Sequence, residues 1–255
     1  MKPATLLLMI IALPLWLDAQ IEIIAHRGAS FDAPENTVAA VKLAWEQGAD
    51  AIETDIHLSK DNRIMCIHDA NTKRTTGADY NVKDTGSETL RSLDAGSFKD
   101  PGFKGEKIPF LEEIIAAVPK EKGLVIEIKC GREVLPILKK VLDRTGRNKN
   151  ISIISFDFSV ITEAKSIFPG IPCYWLCSNA DLYKKNINLA VAAGLDGVSL
   201  SYGIISDEVS MQLKKLNLKL YTWTVDDADE AKRLVSLGIK GITTNRPGWL
   251  RQELF

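Results

Sequence analysis

The sequence has only four cysteines and three histidines among its 255 residues, and neither sign of charge is in excess. Its 32 basic and 33 acidic side chains give a net charge of −1, and no block of like charge stands out. Nucleic acids and acidic membranes attract basic stretches, so we expect neither as a partner. With 45% hydrophobic and 25% charged residues, the chain is not disordered, collagen-like or a coiled coil.

No apolar run reaches the roughly 20 residues that a membrane-spanning helix needs. The longest is the twelve-residue run 6–17, which follows Lys2 and precedes Ala19. A basic start, a short apolar run and a small residue before a cut are typical of a secretory signal peptide. We therefore expect residues 1–19 to be removed and the protein to be periplasmic or secreted, with no membrane span in its mature form. An uncleaved N-terminal anchor is the alternative.

The cysteines give little support for disulfides or zinc. Cys173 and Cys177 are four residues apart in one predicted strand, so their Cα atoms are about 13 Å apart. A disulfide spans at most about 7 Å between Cα atoms. Cys66 and Cys130 lie near the ends of two predicted strands and could pair, but we expect buried thiols. None of the spacings is typical of a zinc site.

After residue 20, short apolar runs alternate with longer amphipathic stretches. The apolar runs predict eight strands, at residues 21–25, 51–58 (with an arm at 63–68), 124–129, 151–155, 172–176, 197–200, 219–223 and 241–244. Asn36 or Thr37 could cap the first helix. Asp226 and Asp227 are expected in the first turn of a later helix that ends at Gly238.

Eight strand-and-helix units in about 235 residues predict a (β/α)₈ TIM barrel, an α/β fold, as one domain over residues 20–255. A weak repeat supports this, because Gly48, Gly194 and Gly238 each end a helix shortly before an apolar strand. An open doubly wound sheet is the alternative, but the chain has no glycine-rich phosphate loop. Residues 69–108 form a long connection after the second strand unit, which predicts a small inserted subdomain.

Chemically capable residues gather at the predicted strand ends, which meet at the mouth of a barrel. Side chains two residues apart on a strand point the same way, so Glu53 and Asp55 can share one cation. Glu127, on the next barrel strand, is a reasonable third ligand. Three carboxylates without a nearby cysteine favour one hard divalent cation, Ca²⁺ or Mg²⁺, over zinc.

His26 and His68 also end strands at this mouth, which suits a general acid and a general base. His57 shares the strand face of Glu53 and Asp55, and either a direct or a supporting role is open for it. Arg27 and Lys129 add positive charge among the acids. This mixture suits a phosphate diester held between a metal ion and cationic side chains.

At this level of detail the sequence resembles the glycerophosphodiester phosphodiesterases. The matching motifs run in order over residues 24–248: His26-Arg-Gly-Ala, Pro34-Glu-Asn-Thr37, Glu53-Thr-Asp55, Lys60-Asp61, Ile67-His68-Asp69, Ile108-Pro-x-Leu-Glu112, Glu127-Ile-Lys129, Trp223-Thr-Val and Thr244-Asn-Arg-Pro247. The resemblance implies a metal-dependent TIM-barrel hydrolase that converts glycerophosphodiesters into sn-glycerol 3-phosphate and an alcohol.

Carried over position by position, the resemblance makes Glu53, Asp55 and Glu127 the metal ligands and His26 and His68 the acid/base pair. Arg27 and Lys129 match positions near the phosphate, and the insertion at 69–108 matches a subdomain beside the active-site mouth. Glu35 opens a helix near the site, where it could orient His26 or Arg27 or simply interact with the helix dipole.

Trp223 is the last apolar residue of its predicted strand, so we expect it at the barrel mouth across from His26. A core position is the alternative, but a fully internal Trp fits poorly among the branched aliphatic residues of a barrel interior. We expect its ring to pack against the glycerol carbons of the substrate, with the indole N–H at the polar edge.

Three activities stay open at this stage. The first is hydrolysis of glycerophosphodiesters, with either water or the substrate's own 2-hydroxyl as the nucleophile. The second is a lysophospholipase D or a cyclising phosphodiesterase on the same scaffold, since fold does not fix substrate. The third is a catalytically silent binding protein. The head group of the substrate, the roles of the two histidines and the oligomeric state are likewise open.

Overall fold

The computed structural model describes residues 21–255, so the predicted signal peptide at 1–19 lies outside the described residues. Eight parallel strands close into a barrel through the pairing of the first strand with the second and the last. The strands are β1 (Glu22–Ala25), β2 (Ala51–Leu58), β3 (Ile64–Cys66), β4 (Gly123–Ile128), β5 (Ile151–Ser155), β6 (Cys173–Cys177), β7 (Gly197–Ser201), β8 (Lys219–Trp223) and β9 (Gly241–Thr244). β3 is the exception, since it pairs antiparallel with β2 outside the barrel. The predicted TIM barrel is confirmed, and the open sheet is excluded.

A helix follows each strand unit of the barrel. These helices are α1 (Val38–Glu46), α4 (Leu111–Ala117), α5 (Leu135–Thr145), α6 (Phe158–Ile167), α7 (Ala180–Ala192), α8 (Asp207–Lys215), α9 (Ala228–Ser236) and α10 (Pro247–Leu254). Two short helices, α2 (Lys73–Thr76) and α3 (Ser87–Ser92), lie in the insertion. Short 3₁₀ turns occur at 82–84, 101–103, 132–134 and 202–204. Among residues 21–255, no helix is both long and apolar enough to cross a membrane.

The capping residues explain two helix starts. Thr37 caps α1 by accepting a hydrogen bond from the Ala40 amide at 3.2 Å. Asp227 is the cap of α9, so the prediction that Asp226 and Asp227 both lie in its first turn is wrong. Asp226 precedes the helix, and its carboxylate bonds to the loop after β9 instead.

Each barrel strand presents two different faces, because its side chains alternate. Outward residues such as Ile52 and Ile126 are fully buried against the helices in the main hydrophobic core. The inward face holds a smaller apolar cluster of Ile24, Ala51, Val125, Ile154, Tyr174 and Leu176. Glu127 lies between the outward residues Ile126 and Ile128 in sequence, so it points into the barrel.

The insertion has its own small apolar core. Its buried residues are Met65, Ile67, Val82, Leu90, Ala95 and Ile108. The segment starts from the antiparallel strand β3, which pairs with the upper half of β2 through Ile56, His57 and Leu58. The insertion therefore begins at the rim of the barrel, next to Glu53 and Asp55 of β2.

All four cysteines fall within residues 21–255 and are free thiols. Cys66, Cys173 and Cys177 are buried, whereas Cys130 is partly exposed. Burial raises the pKa of the Cys173 thiol to about 12, so it stays protonated and unreactive at neutral pH. Burial also raises the pKa of the other three thiols, so they too are protonated at neutral pH.

Candidate active site

Three buried carboxylates lie together at the carboxyl ends of neighbouring strands. Glu53 and Asp55 share the inner face of β2, and Asp55 is directly opposite Glu127 of β4 in the parallel register. One oxygen from each of the three lies within 4.8 Å of the others. The expectation that these residues converge is confirmed by the geometry.

The outer oxygens of this acidic cluster are held by hydrogen bonds. The Arg27 amide donates to Glu53 Oε2 at 2.9 Å, and the Asn36 amide group donates to Asp55 Oδ2 at 2.8 Å. Among the described residues, Glu53 Oε1 and Asp55 Oδ1 have no hydrogen-bond partner although both are buried. A buried anionic oxygen without a partner is costly, so the cluster fits a divalent cation bound to oxygen ligands.

Burial and mutual repulsion raise the pKa values of Glu53 and Glu127. Desolvation, followed by the charges of Asp55 and Glu127, raises the pKa of Glu53. Desolvation and the charge of Asp55 raise the pKa of Glu127 to about 7, against the pull of Lys129. Lys129 Nζ lies 2.8 Å from Glu127 Oε1 and 3.8 Å from Asp55 Oδ1. The cluster therefore carries more negative charge than its two cationic neighbours offset, and a bound cation would relieve it.

The loop after β1 presents Arg27 in a tight turn. Arg27 has a left-handed φ of 55°, and Gly28 follows with φ of 79°. A Cβ at Gly28 would lie 2.6 Å from the Ala40 backbone, so only glycine allows the loop to approach α1 this closely. The turn places Arg27 Nε 3.2 Å from Asp55 Oδ2. The close approach to α1 thus explains why the third residue of the His-Arg-Gly motif is glycine.

His26 is supported by a neutral amide. Its Nδ1 lies 2.7 Å from Asn245 Oδ1, which also accepts from the Ser30 hydroxyl at 2.9 Å. Asn245 Nδ2 donates to Asp226, so the amide oxygen must face the ring. An acceptor opposite Nδ1 fixes the proton there and leaves the lone pair of neutral His26 on Nε2.

The charge state of His26 follows from its surroundings. Desolvation and the neighbouring Arg27 lower its pKa to about 4, against the raising effects of Asn245 and Asp55. His26 is therefore neutral at physiological pH. A neutral imidazole whose Nε2 lone pair is free is a proton acceptor.

His68 is supported by a carboxylate instead. Its Nδ1 lies 2.7 Å from Asp69 Oδ1, and its Nε2 lies 3.1 Å from Lys129 Nζ. A carboxylate behind the ring stabilises the imidazolium that forms when Nε2 takes up a proton. The two histidines thus have chemically different supports.

His57 occupies a supporting position. Its Nε2 lies 3.0 Å from the backbone oxygen of His68, which ties the end of β2 to the arm. Burial lowers the pKa of His57, so the ring is a neutral donor to that carbonyl. Of the two roles left open for His57, the contacts favour the supporting one.

Glu35 lies beside Arg27 rather than His26. Its Oε1 accepts from Arg27 NH1 at 2.9 Å, and Arg74 of the insertion donates to both of its oxygens at 2.8 Å. These two arginines lower the pKa of Glu35 despite the opposing effect of its burial. Glu35 therefore fixes the direction of the Arg27 guanidinium.

Trp223 lines the mouth, but it is not opposite His26. Going around the barrel, only β9 separates β8 from β1, so the two residues lie two strands apart. The indole N–H donates to the Ser199 carbonyl at 3.0 Å, and the ring packs edge-on against Phe156 at 5.2 Å between centroids. The expected position across from His26 is wrong because the barrel strands follow one another in chain order, so the seventh of eight strands is a quarter turn from the first and not opposite it.

The charged and apolar groups face one cavity of about 200 Å³. It is lined by His26, Arg27, Glu53, His68, Glu127, Lys129, Ile154, Phe156, Leu176, Ser199, Trp223, Thr224 and Thr243. The carboxylates and histidines form one side, and Ile154, Leu176 and Trp223 form an apolar wall. This cavity can hold a small polar molecule with a short hydrocarbon portion.

The structure adds supporting residues that sequence reasoning missed. Asn36 holds Asp55, Asn245 holds His26, and Asp69 holds His68. All three belong to the motifs noted in the sequence, but no role followed from the motifs alone. A signal was available for Asn36, since asparagine tolerates the left-handed φ of 59° that it adopts between a turn and a helix.

The fold and the cavity together define the class of protein. In TIM barrels, catalysis occurs at the carboxyl ends of the strands, where this acidic and histidine-lined cavity lies. The arrangement is that of an enzyme rather than of a structural protein.

Comparison with known proteins gives the family. Residues 26–249 match the glycerophosphoryl diester phosphodiesterase family. A glycerophosphodiester phosphodiesterase of Caldanaerobacter subterraneus subsp. tengcongensis is 35% identical over 234 residues, covering 88% of this chain and 94% of that protein. The chain belongs to the glycerophosphoryl diester phosphodiesterase family, and it is a phosphodiesterase.

Solved structures agree with this membership. An Oleispira antarctica phosphodiesterase in complex with the product sn-glycerol-3-phosphate is similar, with 27% identity, a TM-score of 0.85, and coverage of 91% of this chain and 96% of that one. A glycerophosphodiester phosphodiesterase from Agrobacterium tumefaciens has 26% identity and a TM-score of 0.80, and the match covers 91% of this chain and 100% of that one.

The environment of His26 leads to a titration prediction. In the metal-free protein, His26 should titrate near pH 4 and carry its neutral proton on Nδ1. Between this value and the usual 6.5, the unfolded chain binds the extra proton, so this histidine makes stability fall as the pH drops through that window. Nitrogen-15 NMR of the histidine rings measures both the pKa and the tautomer.

Asn245→Ala is the variant for this measurement. The Asn245 amide raises the pKa of His26, so its loss should lower that pKa further and free the neutral proton to move between Nδ1 and Nε2. A wild-type His26 that titrates near 6.5, or one that is neutral with its proton on Nε2, would contradict the proposed support.

Proposed function

We propose that the protein hydrolyses glycerophosphodiesters to sn-glycerol 3-phosphate and an alcohol with the help of one divalent cation, Ca²⁺ or Mg²⁺. The observation that carries the proposal is the cluster of Glu53, Asp55 and Glu127, with its unpartnered oxygens, beside two histidines in one small cavity. Membership of the phosphodiesterase family supports the reaction. The similar Oleispira antarctica enzyme, bound to sn-glycerol-3-phosphate, supports the product.

Glu53, Asp55 and Glu127 would hold the cation. When bound, it would supply positive charge that polarises the phosphate and stabilises charge building up on its oxygens. Arg27 and Lys129 are the cationic side chains of the same cavity, so we assign them to binding the phosphate diester. Each is held against a carboxylate of the cluster, and this places positive charge where the phosphate would enter.

The different supports of the histidines suggest different roles. His26, neutral and with a free Nε2 lone pair, is suited to take the proton from the nucleophile, which is water or the substrate's 2-hydroxyl. His68, backed by Asp69, is suited to give a proton to the leaving alkoxide. In the structure Lys129 donates to His68 Nε2, so the donor role requires Lys129 to leave this nitrogen and Nε2 to take up a proton from solvent first. We infer that Lys129 turns to the phosphate when substrate binds. Environments that differ in this way are how acid and base roles are usually divided.

The apolar wall would receive the glycerol. Trp223 is fixed by its bond to Ser199 and its edge-on contact with Phe156, so its ring is a rigid surface. Carbon atoms of a glycerol unit are small enough for the cavity of about 200 Å³. This places the hydrocarbon portion opposite the acids and the phosphate beside them.

We also propose that the protein acts outside the cytoplasm. The support is the basic start and the twelve-residue apolar run at residues 6–17. Cell fractionation followed by mass determination of the mature N-terminus tests this, and we expect the chain to begin near residue 20. A full-length chain retained on the membrane would favour the uncleaved anchor instead.

The catalytic proposal is tested by chelation and a substrate panel. Purified protein should release glycerol 3-phosphate from glycerophosphocholine, lose this activity with EDTA, and regain it with excess Ca²⁺ or Mg²⁺. His26→Ala and His68→Ala should each lower kcat by about 10²–10⁴ without unfolding the protein.

Other outcomes would point to the alternatives. Preferred release of choline from lysophosphatidylcholine would identify a lysophospholipase D, and a cyclic phosphate seen by phosphorus NMR as the final product would identify a cyclising enzyme. Release of glycerol 3-phosphate that continues in EDTA, or that continues at the wild-type rate in either histidine variant, would contradict the proposed mechanism. Saturable binding without turnover would leave a binding protein.

The proposed glycerol wall leads to a prediction for Trp223. Trp223→Ala should raise KM for glycerophosphodiesters roughly tenfold, because the glycerol carbons lose their apolar contact, and metal affinity should stay the same. Trp223→Phe keeps a flat ring and should keep most of the affinity. Steady-state kinetics and calorimetric metal titration measure the two effects. If Trp223→Ala lowers the melting temperature but leaves KM unchanged, the ring is a packing residue.

A further inference from the structure

Arg74 of the insertion contacts both acidic supports of the site. Its Nε donates to Asp69 Oδ2 at 2.7 Å, and its two terminal nitrogens donate to the two oxygens of Glu35 at 2.8 Å each. Asp69 in turn accepts from His68, and Glu35 accepts from Arg27. A continuous chain of charged hydrogen bonds therefore joins His68 to Arg27 through Arg74.

The geometry is more specific than that of an ordinary surface ion pair. The planar guanidinium uses three N–H groups in a fixed fork, which a lysine cannot reproduce. Glu35 is 15% exposed, so the bidentate pair is partly shielded from water. Lys73, the neighbour of Arg74 on α2, pairs instead with Asp79, and these two side chains are 70% and 62% exposed. The two cations of one helix thus face different environments.

The acids that Arg74 contacts have no second basic residue of the insertion to replace it. The hydrogen bond from Arg74 is the main reason that the pKa of Asp69 is lowered to about 2, so Asp69 is an anion at any physiological pH. Without Arg74, Asp69 would keep only His68, and Glu35 only Arg27, as a charged partner among residues 21–255. Each acid would lose the charge-assisted hydrogen bonds that fix its second oxygen, and its side chain would be freer to leave its present position.

We propose that Arg74 is a positioning residue. Its one guanidinium binds both Asp69 and Glu35, and through these two acids it fixes the orientations of His68 and Arg27. The inference rests on the proposed function, in which His68 transfers a proton and Arg27 binds phosphate. It gives the insertion a role in catalysis, which is to place Arg74 between Asp69 and Glu35. Arg74 itself does not touch the substrate.

Kinetics provide the first test. Arg74→Met should lower kcat/KM for glycerophosphocholine roughly 10- to 100-fold, because charge-assisted hydrogen bonds behind two active residues are lost. Arg74→Lys keeps the charge without the fork and should recover only part of this loss. Lys73→Met is the matched control on the same helix, and its kcat/KM should stay within about twofold of wild type.

Coupling separates positioning from simple stability. If Arg74 acts through Asp69, then Asp69→Asn should cost much less in the Arg74→Met background than in the wild type. Guanidinium ion at low millimolar concentration should partly restore an Arg74→Ala variant. Multiplicative losses, no rescue, or a kcat/KM for Arg74→Met within twofold of wild type would overturn the proposal.

A readout that needs no activity keeps the proposal testable if the proposed function fails. The Nδ1 proton of His68, held by Asp69, should give a protected downfield NMR resonance in the wild type and in Lys73→Met. In Arg74→Met this resonance should be lost or broadened by exchange, while the rest of the spectrum remains that of the folded protein. An unchanged His68 resonance in Arg74→Met would overturn the proposal, whereas an inactive wild type would overturn the function alone.

Discussion

The burial of three neighbouring carboxylates in the barrel mouth, where they lose contact with water and repel one another, is the constraint on which the site depends. At neutral pH, the rise of the Glu127 pKa to about 7 corresponds to a cost on the order of 3 kcal/mol for keeping this group charged. This cost is what is left after Lys129 and Arg27 have lowered the pKa of Glu127. This remaining cost makes the cluster suited to binding a cation, since carboxylates whose charges were already offset would gain little by binding one.

The barrel can bear this cost because the outward face of each strand packs against the helices, while its inward face carries the residues of the site. On β4, Ile126 and Ile128 are buried against the helices, and each contributes about 1.5–3 kcal/mol of hydrophobic stabilisation. Glu127 between them points inward, so its charge disturbs none of that packing. The alternation of side chains along a strand lets a destabilising acid lie within a strongly stabilising strand.

Local patterns predicted the barrel and the three acids, because strand alternation and strand ends are properties of neighbouring residues. The supports of the site depend on contacts across the chain and could not be predicted in this way. Asn245 meets His26 at a separation of 219 residues. Asp226 has the sequence signature of a helix start, yet its carboxylate holds Asn245. The position of Trp223 was predicted wrongly for a different reason. Closure of the barrel puts its seventh strand only two strands from its first, and this follows from the order of the strands along the chain.

These long-range contacts also explain how the two histidines come to differ. Asn245 reaches His26 only because β9 pairs with β1, so the contact that fixes the tautomer of His26 exists once the barrel is closed. His68 lies next to its own support, Asp69, and both belong to the stretch that leads from β3 into the insertion. One histidine thus depends on the closure of the barrel and the other on the docking of the insertion. Because the two supports come from different parts of the fold, the surroundings of the two histidines can differ, as the opposite roles proposed for them require.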